Sequence, residues 1–116
     1  MKFTLFALCL ASITALSAVP LAAQVPDGQA IYRENCRACH GAAGKPVARM
    51  VNAFPKIPNL ADSAFMRVRS EDSIMVVLRH GAGRDMKSFK DKLSPPEMAA
   101  VARYIRSLAG QEPKRP

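Results

Sequence analysis

Tryptophan is absent from this chain, and aromatic residues of all kinds make up only 6% of it. Few large rings are on hand to fill a core, although such side chains normally supply much of its buried area. Cysteine is also scarce. Of three, Cys9 lies in an apolar leader, and Cys36 and Cys39 stand three apart. A bridge between those two would close a tiny loop and stabilise little by chain entropy. Histidine occurs twice, at His40 and His80. No stretch of any length alternates apolar and polar residues as a half-buried strand does. These absences exclude a β fold and a disulfide scaffold. They leave a small helical domain whose core needs more than its own side chains, a role an embedded cofactor can fill.

Long hydrophobic runs are limited to one. Lys2 gives a positive start, Phe3 to Val19 is mostly apolar, and Pro20-Leu21-Ala22-Ala23 ends on small residues. That is the layout of a secretory signal peptide, expected to span residues 1–23 with cleavage after Ala23. The run of about 17 residues sits at the lower limit for crossing a bilayer, so an uncleaved anchor is the alternative. Cys9 reads as apolar filler in that leader. Residues 24–116 form the expected domain, with 111–116 a charged tail.

Negative charge is in the minority. The chain's 17 Lys and Arg less Lys2, against 9 Asp and Glu, leave a mature charge of +7. A basic surface suits nucleic acid, anionic membrane or an acidic protein. Export and the lack of interleaved aromatics argue against nucleic acid. An acidic docking partner is the expectation.

Three helices are legible between Pro/Gly-rich loops. The first opens at Asp27, a good N-cap, and runs to about Arg37, with Ala30, Ile31 and Asn35 on one face. The stretch 41–59 carries two glycines and three prolines and is expected to be a loop. A short helical turn follows at 62–68. The second clear helix starts at Ser70, with Glu71 and Asp72 in its first turn and Ile74, Val77 and Leu78 as its apolar stripe; Gly81 stops it after His80. A loop covers 81–93. The third begins at Ser94-Pro95-Pro96-Glu97, a capping box, and carries Met98, Val101, Ile105 and Leu108 until Gly110.

Cys36-Arg37-Ala38-Cys39-His40 carries the chemistry. Two cysteines three apart can each add to one vinyl group of a haem, and the next histidine then lies beneath the iron. A redox dithiol is one alternative, but that motif usually follows a strand, and here a helix precedes it. Structural zinc is another. It wants four ligands, and the mature chain offers only Cys36, Cys39, His40 and a distant His80.

Other residues fall in an order that carries a resemblance: Asp27 to Tyr32 before Cys36, His40-Gly41, Pro58-Asn59-Leu60, Arg79-His80-Gly81, Met86-x-x-Phe89, Leu93-Ser94 and Tyr104 to Leu108. With the pentapeptide, they make the mature chain resemble the small class I c-type cytochromes of bacterial respiratory and periplasmic electron transfer. The resemblance implies an all-α, cytochrome c-like domain of three main helices plus a short one around one haem c, bonded covalently through Cys36 and Cys39. It implies that Met86 is the distal axial ligand opposite His40, giving a His–Met iron. Thioether ligation raises the potential relative to two histidines. Lys87 stands where the family often has proline. Pro58 would offer its carbonyl to the other ring N–H of His40. Gly28 and Tyr104 resemble the pair at which first and last helices cross. The remaining methionines, Met50, Met66, Met75 and Met98, read as core filler. His80, the competing sixth ligand, reads as a helix-capping or solvated residue.

The expected function is one-electron shuttling in the periplasm by a monomer without enzyme activity or small-molecule substrate. Lys45, Lys56, Arg84, Lys87, Lys90 and Lys92 flank the two ligand segments and would steer an acidic redox partner. The alternative is a haem-bearing subunit of a larger dehydrogenase or oxidase, held by an uncleaved leader.

Overall fold

Caps and glycines set where the helices of this domain begin and end. The computed structural model describes residues 24–110; the expected signal peptide and charged tail lie outside them. Among the described residues there are six helices and no strand: α1 Gly28–Asn35, α2 Arg37–His40, α3 Ala48–Ala53, α4 Ser63–Arg67, α5 Glu71–His80 and α6 Pro95–Leu108. The chain folds all-α, as expected.

The Asp27 carboxylate caps α1 by accepting from the amides of Gln29 and Ala30 at 2.9 and 3.1 Å. Helix geometry breaks at Cys36, where φ is −120°, so the single helix read from the sequence divides into α1 and α2. Asp62 caps α4 through the Phe65 amide, and Ser70 caps α5 through Ser73. Ser94 and Glu97 close the capping box of α6: the Ser94 amide donates to the Glu97 carboxylate at 2.7 Å, and the Glu97 amide donates to the Ser94 hydroxyl at 3.4 Å.

The core forms where α6 crosses α1 and α5. Val101 and Ala102 have no solvent exposure, and Tyr32, Met66, Leu78, Met98 and Ile105 are buried around them. The crossing with α1 is close because Gly28 has no side chain; a Cβ there would overlap the Ala100 carbonyl. Tyr32 and Tyr104 pack beside it with ring centroids 5.3 Å apart.

Three expectations need correction. The stretch 41–59 is not wholly a loop, because α3 forms within it. That helix has no side-chain N-cap and buries no residue, so neither signal used in sequence reading is present. Met50 lies on it, half-exposed and outside the core, while Met66 and Met98 are buried and Met75 packs against them. Val77 is the third. Ile74 and Leu78 are buried, but Val77 is 38% exposed and faces the cavity described next.

Candidate functional site

Cys36, Cys39 and His40 share one helical turn. The Cys39 and His40 amides donate to the Cys36 carbonyl at 3.2 and 2.9 Å, which stacks positions i, i+3 and i+4 on one face. All three line a cavity of about 980 Å3. Both thiols are free; Cys36 is buried and Cys39 exposed. Burial pushes the Cys36 thiol up to about 11; the nearby Cys39 adds to this and Lys92 opposes it. Gly41 ends the turn with φ at +80°, and a Cβ there would overlap the Lys45 carbonyl.

His40 is held as a neutral ring. Burial lowers its proton affinity, partly opposed by the Pro58 carbonyl. Its Nδ1 is enclosed without a hydrogen-bond partner. The Pro58 carbonyl lies near the ring without completing a hydrogen bond to it. An enclosed Nδ1 leaves Nε2 as the ring nitrogen available to a metal. Pro58 lines the same cavity, and its segment is tied down where the Leu60 amide donates to the Gly44 carbonyl at 2.8 Å.

Met86 comes from the loop after α5 and also lines the cavity, half-buried against the core. Its segment is stitched back on itself and onto α5. Ala82 and Met86 exchange backbone hydrogen bonds at 2.9 and 3.3 Å, and the Phe89 amide donates to the Leu78 carbonyl at 2.7 Å. The Ser88 hydroxyl donates to the Arg79 carbonyl. Gly81, with φ at +76°, permits the turn; a Cβ would press on the Met86 carbonyl. Lys87 thus sits in a hydrogen-bonded loop even without a proline. His80 ends α5 exposed and does not line the cavity.

The cavity therefore brings together Cys36, Cys39, His40, Pro58 and Met86 and leaves His80 out. Sequence reading did not find its other walls, which include Phe54, Phe65, Arg69, Val77 and Ile105. Val77 and Ile105 left a trace beforehand, as members of the apolar stripes of α5 and α6.

A cofactor that suits this space must be large, mostly apolar and reactive toward two thiols. The volume is at the upper end for small-molecule sites, far beyond what one metal ion needs. A family model described as cytochrome c oxidase, cbb3-type, subunit III matches residues 23–105. The chain belongs to this family of c-type cytochromes. Cytochrome c6 of a Synechococcus species is 33% identical over 103 residues, covering 88% of this cytochrome and 87% of that protein. The cbb3-type oxidase subunit FixP of Bradyrhizobium diazoefficiens is 32% identical over 83 residues. There the cytochrome spans only 27% of its relative's length. A solved c-type cytochrome, KustC0563, superposes with a TM-score of 0.64 at 28% identity, covering 71% of this chain and 96% of that one. Covalent haem c comes with membership of the family, and the residues present fit it: two free thiols and a neutral histidine on one turn, beside an apolar cavity.

Proposed function

We propose that this cytochrome transfers one electron at a time between redox proteins and performs no substrate chemistry of its own. When bound, the haem supplies the one-electron couple at its iron. The observation that carries the reading is the single cavity lined by Cys36, Cys39, His40 and Met86. Cys36 and Cys39 would hold the haem by thioether bonds, each S–H adding across one vinyl group, which requires reduced cysteines and no oxidant. His40 would hold the iron through Nε2, and the Pro58 carbonyl near its ring would orient it once a hydrogen bond to Nδ1 closes. Met86, which lines the same cavity, would supply a second ligand through its sulfur. Two ligands from the chain would leave no room on the iron for a substrate.

The test is an absorption spectrum of the oxidised holoprotein, read for the weak long-wavelength band of iron–methionine sulfur. That band is expected in the parent and lost in Met86→Ala. If the parent lacks it and the variant's spectrum is unchanged, His–Met ligation fails.

We further propose export to the periplasm and a monomeric, diffusible carrier that docks acidic proteins. Similarity to cytochrome c6 over 88% of this chain and 87% of that protein supports the carrier. The family description favours a second reading, a haem-bearing part of a membrane oxidase. No helix among the described residues is long and apolar enough to cross a membrane. Co-purification with an oxidase from detergent extracts would select the second reading; recovery in the periplasmic fraction alone would select the first.

A further inference from the structure

The haem cavity is lined by charge of predominantly one sign. Three cationic side chains, Lys56, Arg69 and Arg84, contribute to its wall against one carboxylate, Asp85. Lys56, Arg84 and Asp85 are exposed, whereas Arg69 is half-buried. Its guanidinium carbon lies 3.4 Å from the centroid of the Phe65 ring. One terminal nitrogen donates to the Phe65 carbonyl at 2.5 Å. The Arg69 carbonyl accepts in turn from the Arg106 guanidinium, which pins the α4–α5 junction to α6.

These contacts orient the guanidinium without neutralising it. A ring face and a peptide carbonyl attract a cation, but neither carries a full negative charge. Of five N–H donors, the contact to Phe65 occupies one. The surrounding wall is largely apolar, with Phe65, Met66, Ile74 and Ile105 among its residues. A cation in such a wall is stable when an anion is bound against it. Covalent haem brings two carboxylates into this cavity, and the wall offers two more positive charges than negative ones.

We propose that Arg69 is a haem-binding residue that pairs with a haem propionate through its free donors. The inference rests on the presence of covalent haem and extends the site beyond the pentapeptide and Met86. A planar fork suits a carboxylate better than a point charge does. Paired in this way, the propionate stays ionised at lower pH than an isolated carboxylate. The pair also offsets negative charge close to the iron, so the reduced state is favoured relative to a site with a bare propionate.

The experiment compares Arg69→Gln, Arg69→Met and Arg67→Gln with the parent as holoproteins. Arg67 is exposed and does not line the cavity, so its variant removes the same formal charge from a nearby place. Covalent haem is read by mass, axial ligation by the absorption spectrum, and midpoint potential is followed against pH. Both Arg69 variants are expected to keep haem and ligation, to shift the potential negative at neutral pH, and to move its pH-dependent region upward. Arg67→Gln is expected to track the parent. Arg69 variants that coincide with Arg67→Gln overturn the proposal while leaving the haem assignment intact. If neither Arg69 variant accumulates with haem, an infrared titration of the haem carboxylates in the parent decides. One propionate ionising below the ordinary carboxylate range supports the pairing, and two ionising within or above it overturn it.

Discussion

Tyr32 is both a core residue and a strut for the haem turn. It is 1% exposed, and its hydroxyl donates to the Gly41 carbonyl at 2.7 Å, one residue beyond His40. Burial pushes the phenol above its ordinary range, and the neighbouring Cys36 and Tyr104 push it further. Neutral phenol is therefore the form that holds the turn. Tyr32→Phe keeps the packing and leaves the Gly41 carbonyl without this partner. A loss of about 1 kcal/mol is expected, measured by denaturant unfolding of the holoprotein, with the iron–sulfur band retained. A loss indistinguishable from zero would mean the carbonyl is satisfied by water. The sequence marked Tyr32 as part of the first helix but gave no sign of this bond. It joins a helix to a turn nine positions away, and no local periodicity records such a pairing. Arg69 was silent for the same reason: its partners are chosen by the α4–α5 junction, not by spacing.

Among the elements, α6 was the most legible and α3 the least. Ser94, Pro95 and Glu97 announce a helix start by chemistry that acts within one turn, and the structure forms that box. Two hydrogen bonds to Ser94, first from its backbone amide and then from its side chain, hold the Glu97 carboxyl below its ordinary value. A carboxylate depressed in the folded state stabilises above its unfolded pKa, and the benefit is lost as pH falls through the folded one. Stability should therefore decline with acid below about pH 4.3, the ordinary glutamate value. In Glu97→Gln the acid slope is expected to flatten slightly, because a carboxylate in contact with solvent is largely screened. Unfolding midpoints followed from pH 6 toward pH 3, in both proteins, check it; equal slopes would remove Glu97 from the acid response. By contrast α3 has no side-chain cap and buries no residue, so the two signals by which a helix is read from sequence are both missing. Val77 shows the complementary problem. Helical periodicity identified it as apolar, but could not say whether it faced protein or cofactor.

At the scale of the whole molecule, the excess of positive charge is the property that partners encounter first. Lys45, Lys56, Arg84, Lys87, Lys90 and Lys92 are all exposed, and Lys56 and Arg84 reach the cavity wall itself. If these exposed charges meet an acidic partner, as proposed, they raise its rate of encounter. Electron transfer to such a partner is expected to slow steeply as salt rises, since the screening length is only about 10 Å at 0.1 M. Stopped-flow rates across ionic strength measure this, and a flat profile would remove the docking role.

Local chemistry determined much of this protein before any contact was known. Cys36, Cys39 and His40 fall within one turn, and caps act within three residues, so the candidate attachment segment, helix starts and an all-α domain could be read along the chain. Tertiary structure decided what depends on residues far apart. It set the cavity that gathers His40, Pro58 and Met86 across 47 positions of sequence, and the close α1–α6 crossing over Gly28. It also turned Val77 and Arg69 toward the cofactor space. Both residues obey local rules that many surfaces would satisfy. Only the packing of α4, α5 and α6 determines that the surface they share is the wall of the haem site.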